Sequence, residues 1–64
     1  MLKFIEVLAE STKSWEDAAL QAVAHASNSV GQVTSLHIDS FDAIAEGGRI
    51  KEYRVNAKIS FIAE

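Results

Sequence analysis

The sequence predicts an α+β protein in the order strand, helix, strand, strand, with a three-stranded antiparallel sheet (order 1-3-2) packed on one helix. Three observations carry this. Tyr53, Val55, Ala57, Ile59 and Phe61 alternate without a break against Glu52, Arg54, Asn56, Lys58 and Ser60. A period of two sends successive side chains to opposite faces, which makes a strand with one apolar and one polar face. Trp15, Ala18, Ala19, Ala22, Val23, Ala26 and Val30 instead follow helical spacing and form one apolar stripe. Between two extended runs stands Gly47-Gly48, a pair suited to the positive φ angles of a tight hairpin turn.

Taken in order, Leu2 to Ala9 reads as the first strand, with Phe4 and Leu8 on one side and Ile5 and Val7 on the other. Two partly apolar faces in so small a chain suggest either that one side meets another subunit or that this is an edge strand with irregular patterning. Glu10 to Lys13 is a polar connection, and Ser14 caps the helix with Asp17 three positions on, a relative of the Ser-x-x-Glu capping box. Glu16 and Asp17 suit the positive end of the helix dipole. The stripe is mostly alanine, so helix and sheet can approach closely, and Gly31 ends the helix. Trp15, at the head of the stripe, reads as a core or subunit contact rather than a platform for a cofactor ring.

Val33 to Ala45 is the second strand, with Leu36 and Ile38 on one face and Ser35, His37, Asp39 and Phe41 on the other. If the two glycines are the whole loop, Glu46 faces Arg49, Leu36 faces Ile59 and Ile38 faces Ala57. The apolar faces then coincide, and a bulge near the turn would shift this register. The helix returns the chain, so the first two strands run the same way and the third runs against both. An all-antiparallel sheet therefore has the third strand at its centre. Its polar face, with Arg54, Asn56, Lys58, His37 and Asp39, has no cover within the chain.

Length and charge narrow the function. Sixty-four residues are expected to form one domain spanning 1–64, and a chain of this size buries only about 60% of its unfolded surface. Small folds are commonly supported by disulfides, metals or oligomerisation. There is no cysteine, and two histidines are too few for a nitrogen-ligated zinc cage; oligomerisation is left. A net charge of −3 makes nucleic acid a poor partner. The opening MLKFIEVLAE has no apolar run long enough for a signal peptide or a membrane span, so the expectation is a soluble, cytoplasmic protein that binds no membrane.

No nucleophile elbow, phosphate-cradling glycine loop or metalloprotease spacing is present, and the reading is that the protein is not an enzyme. His37 can bond a ligand or exchange a proton, although an exposed lone histidine is more commonly just solvated. His25 lies on the helix off the stripe and has no assigned role. Asp39, Asp42 and Glu46 lack the regular spacing of a calcium loop. Across a three-fold axis, however, one carboxylate becomes three.

The segments KFIEVLAES, SWEDAALQAV and KEYRVNAKISF resemble those of dodecins, and the resemblance spans essentially the whole chain. It implies a hollow homododecamer of cubic symmetry, each helix wrapped by its sheet, that binds flavins non-covalently in pairs and stores or scavenges them without catalysis. Some members also hold coenzyme A or metal ions. Two departures bear on the ligand. Ser35 stands where flavin-binding dodecins carry a tryptophan that stacks on the isoalloxazine ring. Arg54 stands where they carry a glutamine that hydrogen-bonds it. Loss of an aromatic platform removes roughly 1–3 kcal/mol per stacked ring, whereas Arg54 can stack, donate bonds and suit a phosphate or carboxylate.

The resulting candidate ligand-binding residues are Ser35, His37 and Arg54. By the expected register, Ser35 faces Ser60, which is six residues from Arg54, or roughly 20 Å at 3.4 Å per residue. A pocket shared by both needs more than one subunit. The first expectation is a non-enzymatic assembly storing a small molecule, the family ligand being flavin (FMN, riboflavin or FAD), with altered binding. The alternative is a flavin-free shell that binds cations such as calcium, with Asp39, Asp42, Glu46 and Glu6 as candidates, or an anionic ligand such as coenzyme A.

Overall fold

The computed structural model describes residues 1–63, with β1 at Leu2–Ser11, α1 at Trp15–Val30, β2 at Val33–Glu46 and β3 at Arg49–Ile62. The three strands form one antiparallel sheet in the order β1-β3-β2, as the alternation of β3 predicts for a central strand. β1 runs two residues further than its pattern suggested, because Glu10 and Ser11 continue the pairing with Arg54 and Tyr53. A polar pair at a strand end carries no apolar signal, yet its backbone still completes the ladder.

The helix lies across one face. Ala18, Ala22 and Ala26 are buried against it, and Val55, Ala57 and Ile59 supply the buried residues of β3. Ala22, Ala26 and Ile59 form the centre, flanked by Ile5, Val7, Ala9, Val30, Val33 and Leu36. Alanine on the facing turns lets helix and sheet backbones come close, at the expense of core volume. Full burial of a side chain such as Ile59 or Val55 contributes about 1.5–3 kcal/mol, and these two are the largest side chains wholly buried.

The helix start is built as its sequence suggests, with one difference. Ser14 is extended and its Oγ accepts from the Asp17 backbone N–H at 2.9 Å. The Asp17 carboxylate does not close the reciprocal half of a capping box. It accepts from the Ser11 hydroxyl and from Gln21 Nε2 instead, while Ser11 Oγ accepts from the Lys13 backbone N–H. Chiefly through the Ser11 hydroxyl and then Gln21, the Asp17 carboxyl is held below its ordinary value; desolvation opposes this, and the charge of Lys13 adds the least. Asp17 thus ties the end of β1 to the first turns of α1. At the other end, Gly31 takes φ +88° and its N–H bonds the Ser27 carbonyl.

Trp15 docks the helix start onto the hairpin. Its ring meets Phe41 and Tyr53 edge-on, at centroid distances of 6.1 and 4.9 Å, and its Nε1 donates to the Asp42 carbonyl at 2.9 Å. Trp15 is half-buried, and its ring and indole N–H make these contacts within the chain.

The hairpin register agrees with expectation at both ends and departs from it between. Glu46 faces Arg49, Leu36 faces Ile59 and Ile38 faces Ala57. Lys51 is an extra residue on β3 near the turn, and Asp39 is an extra residue on β2, so the two bulges cancel. In the intervening stretch Phe41 faces Val55 and Asp42 faces Arg54. This corrects the assignment of Phe41: the Asp39 bulge turns it from the face of Ser35 and His37 to the helix side. A third irregularity, at Thr34, lies near the start of β2.

The molecule is elongated, 48 × 19 × 13 Å, with a radius of gyration of 12.9 Å. A compact chain of this length has about 10.7 Å. Its accessible surface is 4546 Å², against about 4,000 Å² for a compact monomer of this mass. The excess arises because each hairpin strand has 14 residues while α1 has 16. At about 3.4 Å per strand residue and 1.5 Å per helix residue, the hairpin is twice as long as its cover.

Candidate ligand-binding face

The side of the sheet away from α1 is open, and the register arranges it in rows. Reading from β1 across β3 to β2, the rows are Phe4–Ser60–Ser35, Glu6–Lys58–His37, Leu8–Asn56–Ser40 and Glu10–Arg54–Asp42. Each row is three side chains wide because β3 is central. Phe4 and Leu8 are 65% and 81% exposed, so this face presents apolar side chains among polar ones. A mixed, uncovered surface of this kind is suited to a partner or a planar ligand.

A groove of about 540 Å³ opens at the Arg54 end, lined by Leu8, Ala9, Glu10, Asp42, Arg54, Val55 and Asn56. Its volume is in the range of small-molecule sites. Arg54 Nε donates to Glu52 Oε2 at 2.8 Å and lies 3.5 Å from Glu10 Oε2. Asp42 completes the row on the far side. One guanidinium therefore stands among three carboxylates, giving a local charge of −2 (one positive and three negative groups). The Oδ1 of Asn56 is shielded from solvent and has no hydrogen-bond partner among the described residues.

Of the sequence-derived candidates, Arg54 lines this groove, while Ser35 and His37 lie outside it. Ser35 faces Ser60, six residues along β3 from Arg54, so a single chain does not bring the two together. His37 is exposed, with Nε2 at 3.4 Å from Asp39 Oδ1; Lys58 Nζ approaches the other oxygen of Asp39 at 3.9 Å. The acidic candidates are dispersed: Asp39 with His37 and Lys58, Glu46 with Lys51 at 3.2 Å, Glu6 opposite Lys58. Among the described residues no three or more metal-ligating groups converge.

Sequence reasoning missed the partners of Arg54 and the isolation of Asn56. Glu52 was legible, since two residues apart on a strand share a face. Glu10 needed the β1–β3 register, which no turn fixes, and the Asn56 amide has no signal in the sequence.

Fold and open face together define a small β-α-β-β protein in which one helix covers one side of a 1-3-2 sheet and the other side is left bare. The dodecin family profile matches residues 1–64, and the chain belongs to the dodecin family. Its structure superimposes on that of dodecin from Streptomyces davaonensis with a TM-score of 0.91, covering 100% of this chain and 96% of that one at 15% sequence identity. At that identity the likeness shows a common fold. No protein of curated function matches the sequence. Dodecins are in general small, non-enzymatic, flavin-binding storage proteins that form oligomers. No described helix is long and apolar enough to cross a membrane.

Proposed function

We propose that this protein is a non-enzymatic flavin-storing dodecin, assembled as a homododecamer, whose site is altered at the two ring-contacting positions. The observation that carries it is the uncovered polar face of the sheet, with the Arg54 groove upon it, in a chain matched to the family over its whole length. Ser35 offers no aromatic plane, and Arg54 is already hydrogen-bonded to Glu52 and ion-paired with Glu10. Flavin binding is accordingly weaker than in members that carry tryptophan and glutamine there. Ser35, His37 and Arg54 contribute to one site only across neighbouring copies.

Quenching of riboflavin and FMN fluorescence on titration with the protein tests this reading. Saturable quenching at micromolar to tens-of-micromolar protein supports it, and unquenched fluorescence throughout that range rules out flavin storage. The three carboxylates about Arg54 count against an anionic ligand such as coenzyme A bound at that residue. A calcium-binding shell needs ligands from several copies, and a melting point unchanged by chelator would dispose of it.

A further inference from the structure

Backbone groups point alternately to the two sides of a strand, and the pair that closes the chain ends fixes which of them β1 leaves free. The Met1 amine donates to the Ala63 carbonyl at 3.0 Å, and the Ala63 N–H to the Met1 carbonyl at 2.8 Å. From there the β1–β3 register runs without a break from Leu2–Ile62 to Ser11–Tyr53. Lys3, Ile5, Val7 and Ala9 therefore direct N–H and C=O to β3, while Leu2, Phe4, Glu6, Leu8 and Glu10 direct theirs to the outer edge. The sheet has no strand on that side. The other edge is different, because β2 is bulged at Thr34 and Asp39, and bulges spoil the hydrogen-bond row that an incoming strand needs. β1 has no bulge and the chain has no proline. The side chains of Leu2, Phe4 and Leu8, on the residues whose backbone is free, are all exposed.

We infer that β1 is a pairing edge whose occupant is β1 of a second copy, antiparallel to it, joining two sheets into one with both open faces on the same side. The inference rests on the assembled state proposed above. Between β1 and β2, only β1 is an unbroken edge, so the strand that matches it is its own equivalent, in an isologous contact. The side chains select the register, since residues with outward groups have to oppose one another. Centring the pair on Glu6 sets two carboxylates face to face. Centring it on Phe4 leaves Leu8 outside the pair, and centring it on Val7 leaves Leu2 outside. Centring it on Ile5 places Leu2 across from Leu8 of the second copy, twice over, and opposes no like charges. In that register Leu2 and Phe4 of each copy exchange both hydrogen bonds with Leu8 and Glu6 of the other.

Hydrogen exchange on the assembled wild-type protein, quenched and read residue by residue by NMR, tests this directly. The outward amides of Phe4, Glu6 and Leu8 are expected to exchange at least about a hundredfold more slowly than in an unfolded chain. Light scattering on two variants supplies an independent check. Glu6→Pro removes one outward donor and leaves the β1–β3 ladder intact, because edge strands tolerate proline where the N–H faces away from the sheet. It is expected to give smaller species, whereas Glu6→Ala, which loses the same carboxylate and keeps the N–H, is expected to retain the wild-type mass. Exchange at the unfolded rate by these three amides in assembled protein overturns the inference and leaves the assembly standing. Wild-type protein found only as single chains overturns the assembly as well. A Glu6→Pro variant that folds and keeps the wild-type mass also overturns the inference; if it does not fold, exchange in the wild type decides.

Discussion

Phe41 stands opposite Val55 on the helix side of the sheet, although strict alternation from Leu36 and Ile38 assigns it to the other side. The extra residue Asp39 makes the difference, and it places the Phe41 ring edge-on to Trp15. Aromatic pairs of this geometry contribute about 0.5–1.5 kcal/mol beyond their burial. Phe41→Ala is therefore expected to lower stability by about 1–2 kcal/mol in urea denaturation, although the side chain is 60% exposed. Trp15 is the only tryptophan, so its emission maximum should shift in the same variant. Unaltered tryptophan emission would place Phe41 on the open face after all.

The junction of β1 and α1 sets an acid limit. The Asp17 carboxyl is held below its ordinary value of 3.8, chiefly by the Ser11 hydroxyl. A carboxylate whose folded value is depressed contributes stability that is fully present above the ordinary value and is lost as pH falls through the folded one. Asp17→Asn is thus expected to be less stable than the wild type at pH 6, with the difference lost as pH falls through the lowered folded value. Denaturation midpoints of both proteins from pH 2 to 7 check this. A difference that stays constant across that range would assign the effect to packing rather than charge.

Much of this architecture was legible in the sequence, and the reasons are local. The alternation from Tyr53 to Phe61, the alanine stripe and Gly47-Gly48 each report a backbone period or a turn that neighbouring residues decide. Both glycines do take positive φ, at +62° and +75°. The bulges at Asp39 and Lys51 were not legible, because each is a defect in pairing whose sequence looks like continued strand. Their mutual cancellation is why Leu36 still meets Ile59 while Phe41 changes sides. At the candidate site, Arg54 was visible as one of two cations, with Lys58, on the polar face of the third strand. Its neutralisation by Glu10 depends on a strand pairing 44 positions apart in the chain, which only the folded sheet makes.

Assembly is expected to depend on the apolar side chains of the open face. Leu8 is the most exposed of them and borders the groove. In a shell of twelve chains of 7.0 kDa, light scattering should give about 84 kDa for the wild type (12 × 7.0). Leu8→Asp places a charge in the row beside Asn56, where a neighbouring copy would have to desolvate it. That variant is expected to elute as smaller species and to melt at lower temperature. A folded wild-type protein that remains near 7.0 kDa at low concentration would remove the assembly, and with it any site shared between copies.

Position 35 offers the most direct test of the altered site. Ser35 is exposed on the open face and pairs with Ser60, so its immediate cross-strand neighbour is small. Phe4 closes the same row from β1, and a larger ring at position 35 meets no bulky partner within the chain. Ser35→Trp is therefore expected to fold with little change in stability and to provide the aromatic plane that the wild type lacks. A stacked ring is worth roughly 1–3 kcal/mol, which corresponds to a gain in flavin affinity of about five- to 150-fold. Ser35→Ala, by contrast, removes only a hydroxyl and should bind flavin as the wild type does. Fluorescence titration of the three proteins separates the cases. If the tryptophan variant folds and assembles but binds no more tightly than the wild type, then position 35 is not where the ring lies. The weakness of flavin binding would then have to originate at Arg54 and its three carboxylates.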